Sequence, residues 1–354
     1  MIDTQEIEIK RTEASRINEV DFKNLPFGKI FTDHMLVANY EQGKWRSVRI
    51  EPFGPLSLSP ASSMMHYGQA IFEGMKAYKN QQNEVIIFRP EANLNRMNNS
   101  AERMCMPKIP HEIFINGLQQ LLALDRDWIP EDENSSLYIR PFMIATDPYL
   151  GVKPSETYKF MIICSPVGPY YSKPLHLKIE TKYTRAALGG IGFTKAAGNY
   201  GGALYPAMLA QQQGIDQLIW TDARDHQYLE EAGTMNVMLV IDDVLITPPL
   251  KSTILPGITR DSILTLARSE GIVVEERPIS ITEVLDAVQS GRLTELFGTG
   301  TAATIAQAVK LTYEDQTHEL PPVENRPVSR KLGKMLNDIK KGLAPDTYGW
   351  NMKL

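Results

Sequence analysis

Cysteine is scarce in this chain of 354 residues, since only Cys105 and Cys164 occur. They lie far apart and form neither a CxxC pair nor a zinc-ligand spacing with histidine. This argues against a disulfide framework and against a structural zinc site. We therefore expect a protein without a metal site, located in the reducing cytoplasm.

Other common features are also missing. No run of about 18 apolar residues occurs, which argues against a membrane span. The formal net charge of −5 argues against nucleic acid or an anionic membrane as a partner. The first residues, "MIDTQEIEIKRTEASR", contain no apolar segment typical of a secretory signal. Neither GxGxxG after a strand nor GxxxxGK[ST] is found, which argues against the dinucleotide and triphosphate sites that these motifs build. These absences favour a soluble intracellular protein.

The chain has the composition of a globular protein, with 43% hydrophobic and 22% charged residues. Its length exceeds what one hydrophobic core usually supports, so we expect two domains. The stretch "PVGPYYSKPLHL" has no periodicity, which predicts a linker over residues 169–181 between domains 1–168 and 182–354. Both halves mix helices and strands without regular βαβ order. The sequence therefore predicts an α+β protein.

Several local signals predict individual elements. A β-hairpin is expected around Gly43, and a second tight strand connection at Asp242 and Asp243. A helix is predicted to end at Gly271. Ser280 and Glu283 have the spacing of a capping box, which predicts the start of another helix.

Two glycine-bearing turns are candidate phosphate sites. In "LPGITRDSILTL", Gly257 precedes a predicted helix that the amides of Ile258 and Thr259 open. In "FGTGTAATIAQA", a strand is expected to end at Phe297, and a helix to follow the glycines. Arg89, directly after an apolar strand, adds a cation. Each turn alone is most simply the N-terminal cap of a helix; the three features together suit a small organic phosphate.

Lys195 is the only charged residue in "GIGFTKAAGNYGGA", residues 190–203. One interpretation is a lysine whose ammonium simply reaches solvent. The other is a lysine in an apolar site, where the neutral amine forms a Schiff base with a carbonyl. A carbonyl compound that carries a phosphate and binds lysine is pyridoxal 5'-phosphate (PLP), whose ring nitrogen needs a carboxylate. Glu231 in "YLEEAGTMN" is the candidate, with Glu230 as the competing choice.

Eight motifs in order resemble one family: "FTDHMLVANY", "HYGQAIFEGMKAY", "FRPEANLNRM", "LYIRP", "GFTKAAGNYGG", "EEAGTMN", "LPGITRDSI" and "FGTGTAA". From about Phe27 to Leu343, the chain resembles a branched-chain amino acid aminotransferase of the PLP-dependent fold-type IV group. The resemblance implies a two-domain fold-type IV (D-amino acid aminotransferase-like) PLP enzyme. Such an enzyme transfers the amino group between L-leucine, L-isoleucine or L-valine and 2-oxoglutarate, and gives branched-chain 2-oxo acids and L-glutamate.

The resemblance also implies the residues that hold PLP. Lys195 would form the Schiff base and, once released, would move the proton between the substrate Cα and the cofactor C4′. Glu231 would pair with the ring nitrogen, and Tyr200 would donate to the cofactor phenolate. The remaining cofactor contacts would come from Arg89, Thr234, Ile258, Thr259 and Thr301.

The substrate residues are likewise implied by the resemblance. The amides of Thr301 and Ala302, with Tyr138, would bind the α-carboxylate. Arg140 would bind the distal carboxylate of glutamate. The side-chain pocket would be lined by Phe27, Tyr67, Phe72 and Thr234.

The family is homodimeric, so the resemblance implies a homodimer in which the loop 147–153 reaches the partner's active site. Some members carry a CxxC redox pair after "GTA". This chain reads "TAATIAQA" there, so no thiol switch is expected at this place.

Two alternatives stay open at this point. A D-amino acid aminotransferase or an aminodeoxychorismate lyase would share the same lysine, glutamate and phosphate-binding turns, although "YIRP" and "HYGQAIFEGMK" favour the branched-chain enzymes. A non-catalytic protein that binds a phosphorylated ligand would carry the turns without using the lysine. Turnover of L-leucine would distinguish a branched-chain aminotransferase from the first alternative. The yellow colour of bound PLP would distinguish it from the second.

Overall fold

The computed structural model describes residues 7–171 and 173–354, which form two compact units. The first unit comprises residues 7–170, 194–198 and 339–354. The second comprises residues 171–193 and 199–338. Residues 1–6, at the start of the expected first domain, and Ser172, in the expected linker, lie outside the described residues.

These boundaries differ from the ones expected from the sequence. Residues Leu175–Glu180 of the expected linker form a strand that is paired on both sides. Its alternate residues Leu175, Leu177 and Ile179 are buried, a period-2 pattern that the prolines and tyrosines before it obscure. The segment around Lys195 and the last residues of the chain belong to the first unit, because strand pairing over long sequence distances holds them there.

The strands are numbered in chain order: β1 Glu8–Ile9, β2 His34–Glu41, β3 Lys44–Pro52, β4 Ala70–Phe72, β5 Met75–Lys79, β6 Val85–Phe88, β7 Ser136–Ala145, β8 Tyr158–Val167, β9 Leu175–Glu180, β10 Gln217–Thr221, β11 Leu229–Ala232, β12 Met235–Ile241, β13 Val244–Thr247, β14 Val274–Glu276, β15 Leu293–Gly300, β16 Thr304–Tyr313, β17 Gln316–Glu319 and β18 Asn351–Lys353.

The α-helices are numbered in the same way: α1 Ser63–Tyr67, α2 Pro90–Arg103, α3 Gly117–Leu124, α4 Ala197–Gly201, α5 Leu204–Gln212, α6 Ile258–Ser269, α7 Ile281–Gln289 and α8 Pro327–Lys340. A π-helical turn, Glu112–Asn116, leads into α3. Among the described residues, no helix combines the length and the apolar character needed to cross a membrane.

The first unit is built on one sheet with helices packed against it. The strand order is β1-β3-β2-β8-β7-β5-β6-β18, and β4 pairs with β7. The core contains inward side chains of the sheet, such as Ile87 and Ile139, and apolar residues of the helical segments, such as Met97, Phe114 and Leu121. The alternation of inward and outward residues leaves the other face of β4, β5 and β7 for the functional side chains described below.

The second unit contains a closed barrel of six strands. The pairing β11-β10-β9-β16-β15-β12 returns to β11, because β12 also pairs with β11. Further strands β13, β14 and β17 extend the sheet from β12 and β16. Closure removes the free edges of these six strands, and their apolar side chains form a separate core. The mixture of helices and sheets confirms the predicted α+β class.

The local turn and cap predictions are confirmed. Gly43 connects β2 and β3 with φ 75°, and Gly271 follows α6 with φ 72°. Asp242 and Asp243, with φ 51° and 63°, connect β12 and β13. Ser280 caps α7, its hydroxyl accepting a hydrogen bond from the amide of Glu283. Short-range chemistry determines these features, so the sequence alone reveals them.

The expected helix after "FGTG" is wrong. Strand β15 continues past Phe297 to Gly300, residues 301–303 form a turn, and β16 follows from Thr304. The glycines serve the sheet, because a Cβ on Gly298 would lie 2.7 Å from the side chain of Met235. This second candidate phosphate site is therefore a turn between strands and not a helix N-terminus.

Candidate active site

Lys195 lies in the first unit, where its backbone is fixed on both sides. Its carbonyl oxygen accepts a hydrogen bond of 3.0 Å from the amide of Phe72, and its amide donates to Ser100 Oγ at 3.1 Å. The next residue, Ala196, forms a β-bridge with Ile71. The half-buried side chain places Nζ 4.6 Å from the centroid of the Phe72 ring. An aromatic face therefore borders the amine, as the apolar-site interpretation requires.

Arg140, on β7, contacts the same ring. Its Cζ lies 4.7 Å from the Phe72 centroid, and Nη2 donates to the hydroxyl of Tyr138 at 3.0 Å. The Nε–H is buried and has no hydrogen-bond partner among the described residues. An unpaired buried donor is costly, so this guanidinium has unused capacity for an acidic ligand.

Tyr138 and Phe27 form an aromatic cluster with Tyr170. The ring centroids of Phe27 and Tyr138 are 5.0 Å apart, and those of Phe27 and Tyr170 are 4.8 Å apart. Gly74 allows the approach of Tyr138, because a Cβ there would collide with its hydroxyl. Burial raises the pKa of Tyr170, which keeps this phenol neutral. The sequence analysis missed Tyr170, since it lies in the segment interpreted as a linker.

Tyr67 ends α1, and its hydroxyl donates to the carbonyl oxygen of Leu150. Leu150 belongs to the loop 147–153, in which Tyr149 and Val152 are also exposed, Val152 by 86%. The structure therefore connects one predicted pocket residue to the loop that was predicted to serve a partner subunit.

Arg89 precedes α2 with φ 48°, a left-handed conformation that is uncommon outside glycine. Its amide donates to the carbonyl oxygen of Trp350 at 2.7 Å, and its guanidinium lies 5.3 Å from the indole ring. The carbonyl oxygen of Arg89 accepts from the side chain of Asn93. These contacts fix the direction of the arginine, and Trp350 gave no signal in the sequence.

In the second unit, Glu231 lies on β11 and is only 4% exposed. Its Oε1 accepts hydrogen bonds from the amide of Leu255 at 3.0 Å and from Nδ2 of Asn236 at 3.2 Å. Its Oε2 forms an ion pair with Arg185. A cation and two N–H donors together stabilise the negative charge of this buried carboxylate.

Arg185 is the buried partner of Glu231 that sequence reasoning missed. Besides Glu231, its Nη2 contacts the carbonyl oxygens of Thr253 at 2.6 Å and Gly192 at 3.1 Å. The side chain is only 9% exposed. Glu231 lies far from Arg185 in sequence; the available signal was that a buried Glu231 needs a cation from elsewhere in the chain.

The first glycine-bearing turn has the predicted form. Gly257 precedes α6, and Ile258 and Thr259 are the first two residues of that helix. A Cβ on Gly257 would collide with Oδ1 of Asn236, which also bonds to the Leu255 carbonyl through Nδ2 at 2.9 Å. Glycine is therefore required where the chain approaches Asn236, and the helix N-terminus next to it is suited to an anion.

The remaining predicted residues lie in the second unit in several settings. Thr301 and Ala302 are half-buried in the turn between β15 and β16, Thr234 is exposed between β11 and β12, and Tyr200 lies in α4. Thr299, opposite Asn236 in the β12–β15 pairing, has a buried hydroxyl without a hydrogen-bond partner among the described residues. Sequence reasoning assigned no role to Thr299.

Within each unit the structure brings together part of the predicted set. In the first unit, Phe72 contacts Lys195 and Arg140, and Tyr138 contacts Arg140 and Phe27. In the second unit, the amide of Leu255, just before the start of α6, donates a hydrogen bond to Glu231. The competing acid, Glu230, bonds instead to Thr253, at 2.6 Å.

Comparisons with known proteins identify the family of this chain. The model of the amino-transferase class IV family matches residues 70–311. Branched-chain-amino-acid aminotransferase 2 of Bacillus subtilis is 44% identical over 99% of this chain and 97% of its own length. The branched-chain-amino-acid aminotransferase of Mycolicibacterium smegmatis is 40% identical, with 96% and 94% covered.

Solved structures give the same result for the fold. The branched-chain amino acid aminotransferase from Escherichia coli superimposes with a TM-score of 0.71 at 26% identity, covering 90% of this chain and 98% of the other. The branched-chain amino acid aminotransferase from Thermobaculum terrenum, solved in its PLP form, has a TM-score of 0.71 at 22% identity, with 90% and 97% covered. This chain therefore belongs to the class IV aminotransferase family, in which its sequence relatives are the branched-chain-amino-acid aminotransferases, and it has their PLP-dependent fold.

Proposed function

We propose that this protein transfers the amino group between L-leucine, L-isoleucine or L-valine and 2-oxoglutarate, with PLP bound to Lys195. The observation that carries the proposal is the contact of two cations, Lys195 and Arg140, with the single aromatic ring of Phe72. This places a reactive amine and a carboxylate-binding group beside one apolar surface. The names of the sequence relatives support the same reaction.

The residues present fit PLP. Gly257 lets the chain approach Asn236 closely, just before a helix N-terminus suited to a phosphate. Glu231 presents a buried carboxylate stabilised as an anion, as a protonated ring nitrogen requires. When bound, PLP supplies an electron sink for the bonds at the substrate Cα. We assign its binding to Lys195, Tyr200, Glu231, Arg89, Thr234, Ile258, Thr259 and Thr301.

Lys195 is assigned the covalent attachment of PLP and the proton transfer at the substrate Cα. Hydrogen bonds to Phe72 and Ser100 hold its backbone, and Phe72 borders its amine. A fixed backbone with a flexible four-carbon side chain suits both tasks, because the amine can stay near the reacting atom after its release. Glu231, which Arg185 holds in an ion pair, is assigned the contact with the ring nitrogen of PLP.

The pocket must accept a branched aliphatic side chain in one half-reaction and a carboxylate in the other. Burial of the aliphatic side chain against Phe27, Tyr67 and Phe72 contributes about 1.5–3 kcal/mol. A carboxylate there needs a cation with free donors, and Arg140 has a buried Nε–H without a partner among the described residues. We assign the α-carboxylate to Tyr138 and to the amides of Thr301 and Ala302, and we assign Thr234 to the pocket wall.

We further propose a homodimer in the cytoplasm. The exposed apolar side chains of Tyr149, Leu150 and Val152 support a loop that another subunit covers. The two free cysteines, Cys105 and Cys164, support a reducing compartment.

A substrate panel tests the reaction. With 2-oxoglutarate as the acceptor, we expect L-leucine, L-isoleucine and L-valine to yield L-glutamate, and D-alanine to yield none. Turnover of D-alanine without turnover of L-leucine would assign the chain to the D-amino acid enzymes of the same scaffold. A colourless protein that neither borohydride nor amino acids alter would show that it only binds a ligand.

A further inference from the structure

A cavity lies within the second unit, outside the residues assigned to transamination. Its volume is about 420 Å³, which is in the range of small-molecule sites. Residues from the segments 187–188, 222–230 and 248–254 line it, together with Pro278. Leu188, Ile254 and several prolines make much of the wall apolar.

Glu230 is the buried charged residue of this wall. Its side chain accepts a hydrogen bond of 2.6 Å from Oγ1 of Thr253 through Oε1. The residue is 6% exposed, and Oε2 has no hydrogen-bond partner among the described residues. Burial raises the pKa of this carboxyl, with Thr253 and Arg185 opposing the shift. Oε2 of Glu230 therefore lacks a hydrogen-bond donor, and a ligand could supply one.

The other charged residues of the wall differ from Glu230. Asp222 is already used, because its carboxylate accepts hydrogen bonds from the amides of Asp225, Gln227 and Tyr228. Lys251 is exposed and forms no hydrogen bond or ion pair through its ammonium with the described residues. Arg224 and Asp225, which also line the cavity, form an ion pair with each other. The lining residues thus include one buried acceptor without a donor and one cation without an ion pair among the described residues.

We propose that this cavity binds a small aliphatic ammonium compound whose N–H group donates to Glu230. The apolar wall suits its hydrocarbon part, and a charged donor is the strongest partner for a buried carboxylate. Two sources share this chemistry: a plain amine, and a free amino acid whose carboxylate pairs with Lys251.

The cavity is connected to the acid that we assign to the cofactor ring. Thr253 donates to Glu230 through Oγ1, and its carbonyl oxygen accepts from Arg185, which forms the ion pair with Glu231. Ligand binding at Glu230 therefore reaches Glu231 through two side chains and through the peptide bond between the two glutamates. This part rests on the proposed function, because it needs PLP opposite Glu231.

The test uses holoenzyme and two probes that differ only in a carboxylate, pyrrolidinium and L-proline. Neither is a primary amine, so neither can form with PLP the neutral imine that Lys195 forms. Calorimetric titration should show saturable binding of at least one probe. Glu230→Gln should weaken it about tenfold or more, since a hydrogen bond to a charged group contributes about 1.5–3 kcal/mol. Asp225→Asn, an exposed acid at the same cavity, is the matched control and should bind as the unmodified protein does.

Lys251→Ala separates the two sources. A loss of L-proline binding with unchanged pyrrolidinium binding identifies an amino acid site, and equal retention of both identifies an amine site. Ala223→Leu, which fills part of the cavity without changing its charge, should also weaken binding and covers the case in which Glu230→Gln does not fold. Absence of binding by both probes, or equal binding to Glu230→Gln, overturns the proposal. Either result leaves L-leucine turnover, and thus the proposed function, untouched.

Discussion

At the scale of single residues, Phe72 organises the predicted chemistry of the first unit. One ring contacts the amine of Lys195 and the guanidinium of Arg140, while the amide of Phe72 fixes the backbone of Lys195. An aromatic face attracts both cations and also accepts an aliphatic substrate. This dual character suits a pocket that alternates between leucine and glutamate.

Arg140→Ala should impair glutamate far more than leucine. Removing a hydrogen-bonded cation should lower kcat/KM for L-glutamate about ten- to hundredfold, because a charged hydrogen bond contributes about 1.5–3 kcal/mol. For L-leucine, no charged hydrogen bond to the substrate side chain is lost, only the contacts of Arg140 with Phe72 and with the Tyr138 hydroxyl, so the decrease should be smaller. Steady-state kinetics in both directions measure the ratio, with the exposed Arg46→Ala as the control. Equal losses for both substrates would show that Arg140 only supports the fold.

Arg185 is expected to act through Glu231. Arg185→Met should lower kcat about tenfold or more, because Glu231 would lose its ion pair and hold the ring nitrogen less well. The pH titration of the PLP absorbance should shift, which a purely structural role would not cause. Arg185→Lys should restore part of both properties. An unchanged absorbance titration in Arg185→Met would contradict the positioning role.

At the scale of elements, the start of α6 shows how one glycine determines the shape of a site. Gly257 lies against Asn236, which also bonds to Glu231 and to the Leu255 carbonyl. The side chain of Asn236 therefore contacts both the turn before α6 and Glu231 on β11. A change at Gly257 should affect phosphate binding and the ring-nitrogen acid together.

Gly257→Ala should weaken PLP binding about tenfold, because the added Cβ collides with Asn236 and displaces the helix N-terminus from the phosphate. Reconstitution of the apoenzyme, followed by absorbance, gives the dissociation constant. Gly54→Ala, where a Cβ meets only a carbonyl oxygen at 4.0 Å, is the control. A dissociation constant equal to that of the unmodified protein would remove α6 from the phosphate site.

The end of α8 should make stability depend on pH. Burial lowers the pKa of Lys340 from 10.5 to about 7, with Lys76 and Lys341 nearby. Between about pH 7 and pH 10.5, Lys340 is protonated in the unfolded chain and mostly neutral in the folded one. The free-energy cost of burying Lys340 therefore decreases as the pH rises through this range. Lys340→Met should raise the melting temperature most at about pH 6.5, by an amount that corresponds to about 1–3 kcal/mol.

The gain from Lys340→Met over the unmodified protein should be smaller at about pH 9 than at about pH 6.5. Lys334→Met, an exposed lysine of the same helix, should show little change at either pH. Thermal melts at the two pH values provide the comparison. A gain independent of pH would contradict the lowered pKa.

The same scale shows what the sequence predicted and where it failed. The Gly43 hairpin and the Ser280 cap depend on neighbouring residues, so local patterns were sufficient. The segment after Gly300 was predicted as a helix from its alanines. Pairing of β16 with β9 and β15, which lie far away in sequence or across a turn, decides it instead. Barrel closure through the β11–β12 pairing is equally invisible to local patterns.

The candidate site was predictable only where a motif carries the residue. Lys195, Glu231 and Arg140 stand in recognisable motifs, whereas Arg185 has no local partner and became visible through its ion pair with Glu231. Tyr170 was hidden in a segment that resembled a linker. Sequence patterns identify residue types that the chemistry needs; the three-dimensional structure identifies their supporting partners.

At the scale of the whole molecule, the chain combines a helix-covered sheet and a six-stranded barrel, each with its own core. The first unit contains the lysine and the arginine against Phe72, and the second contains the buried acid and the helix N-terminus. The family model matches residues of both units, so the chain belongs to the class IV aminotransferases as a whole.

The most direct test of the account is to locate the bound cofactor. Holoenzyme is reduced with borohydride, digested, and analysed by mass spectrometry for the phosphopyridoxyl group. We expect the label on the peptide that contains Lys195. Lys195→Ala should lose both the label and L-leucine turnover, whereas Lys44→Ala should keep both. A label on another lysine, or L-leucine turnover in Lys195→Ala without added amines, would contradict the central assignment.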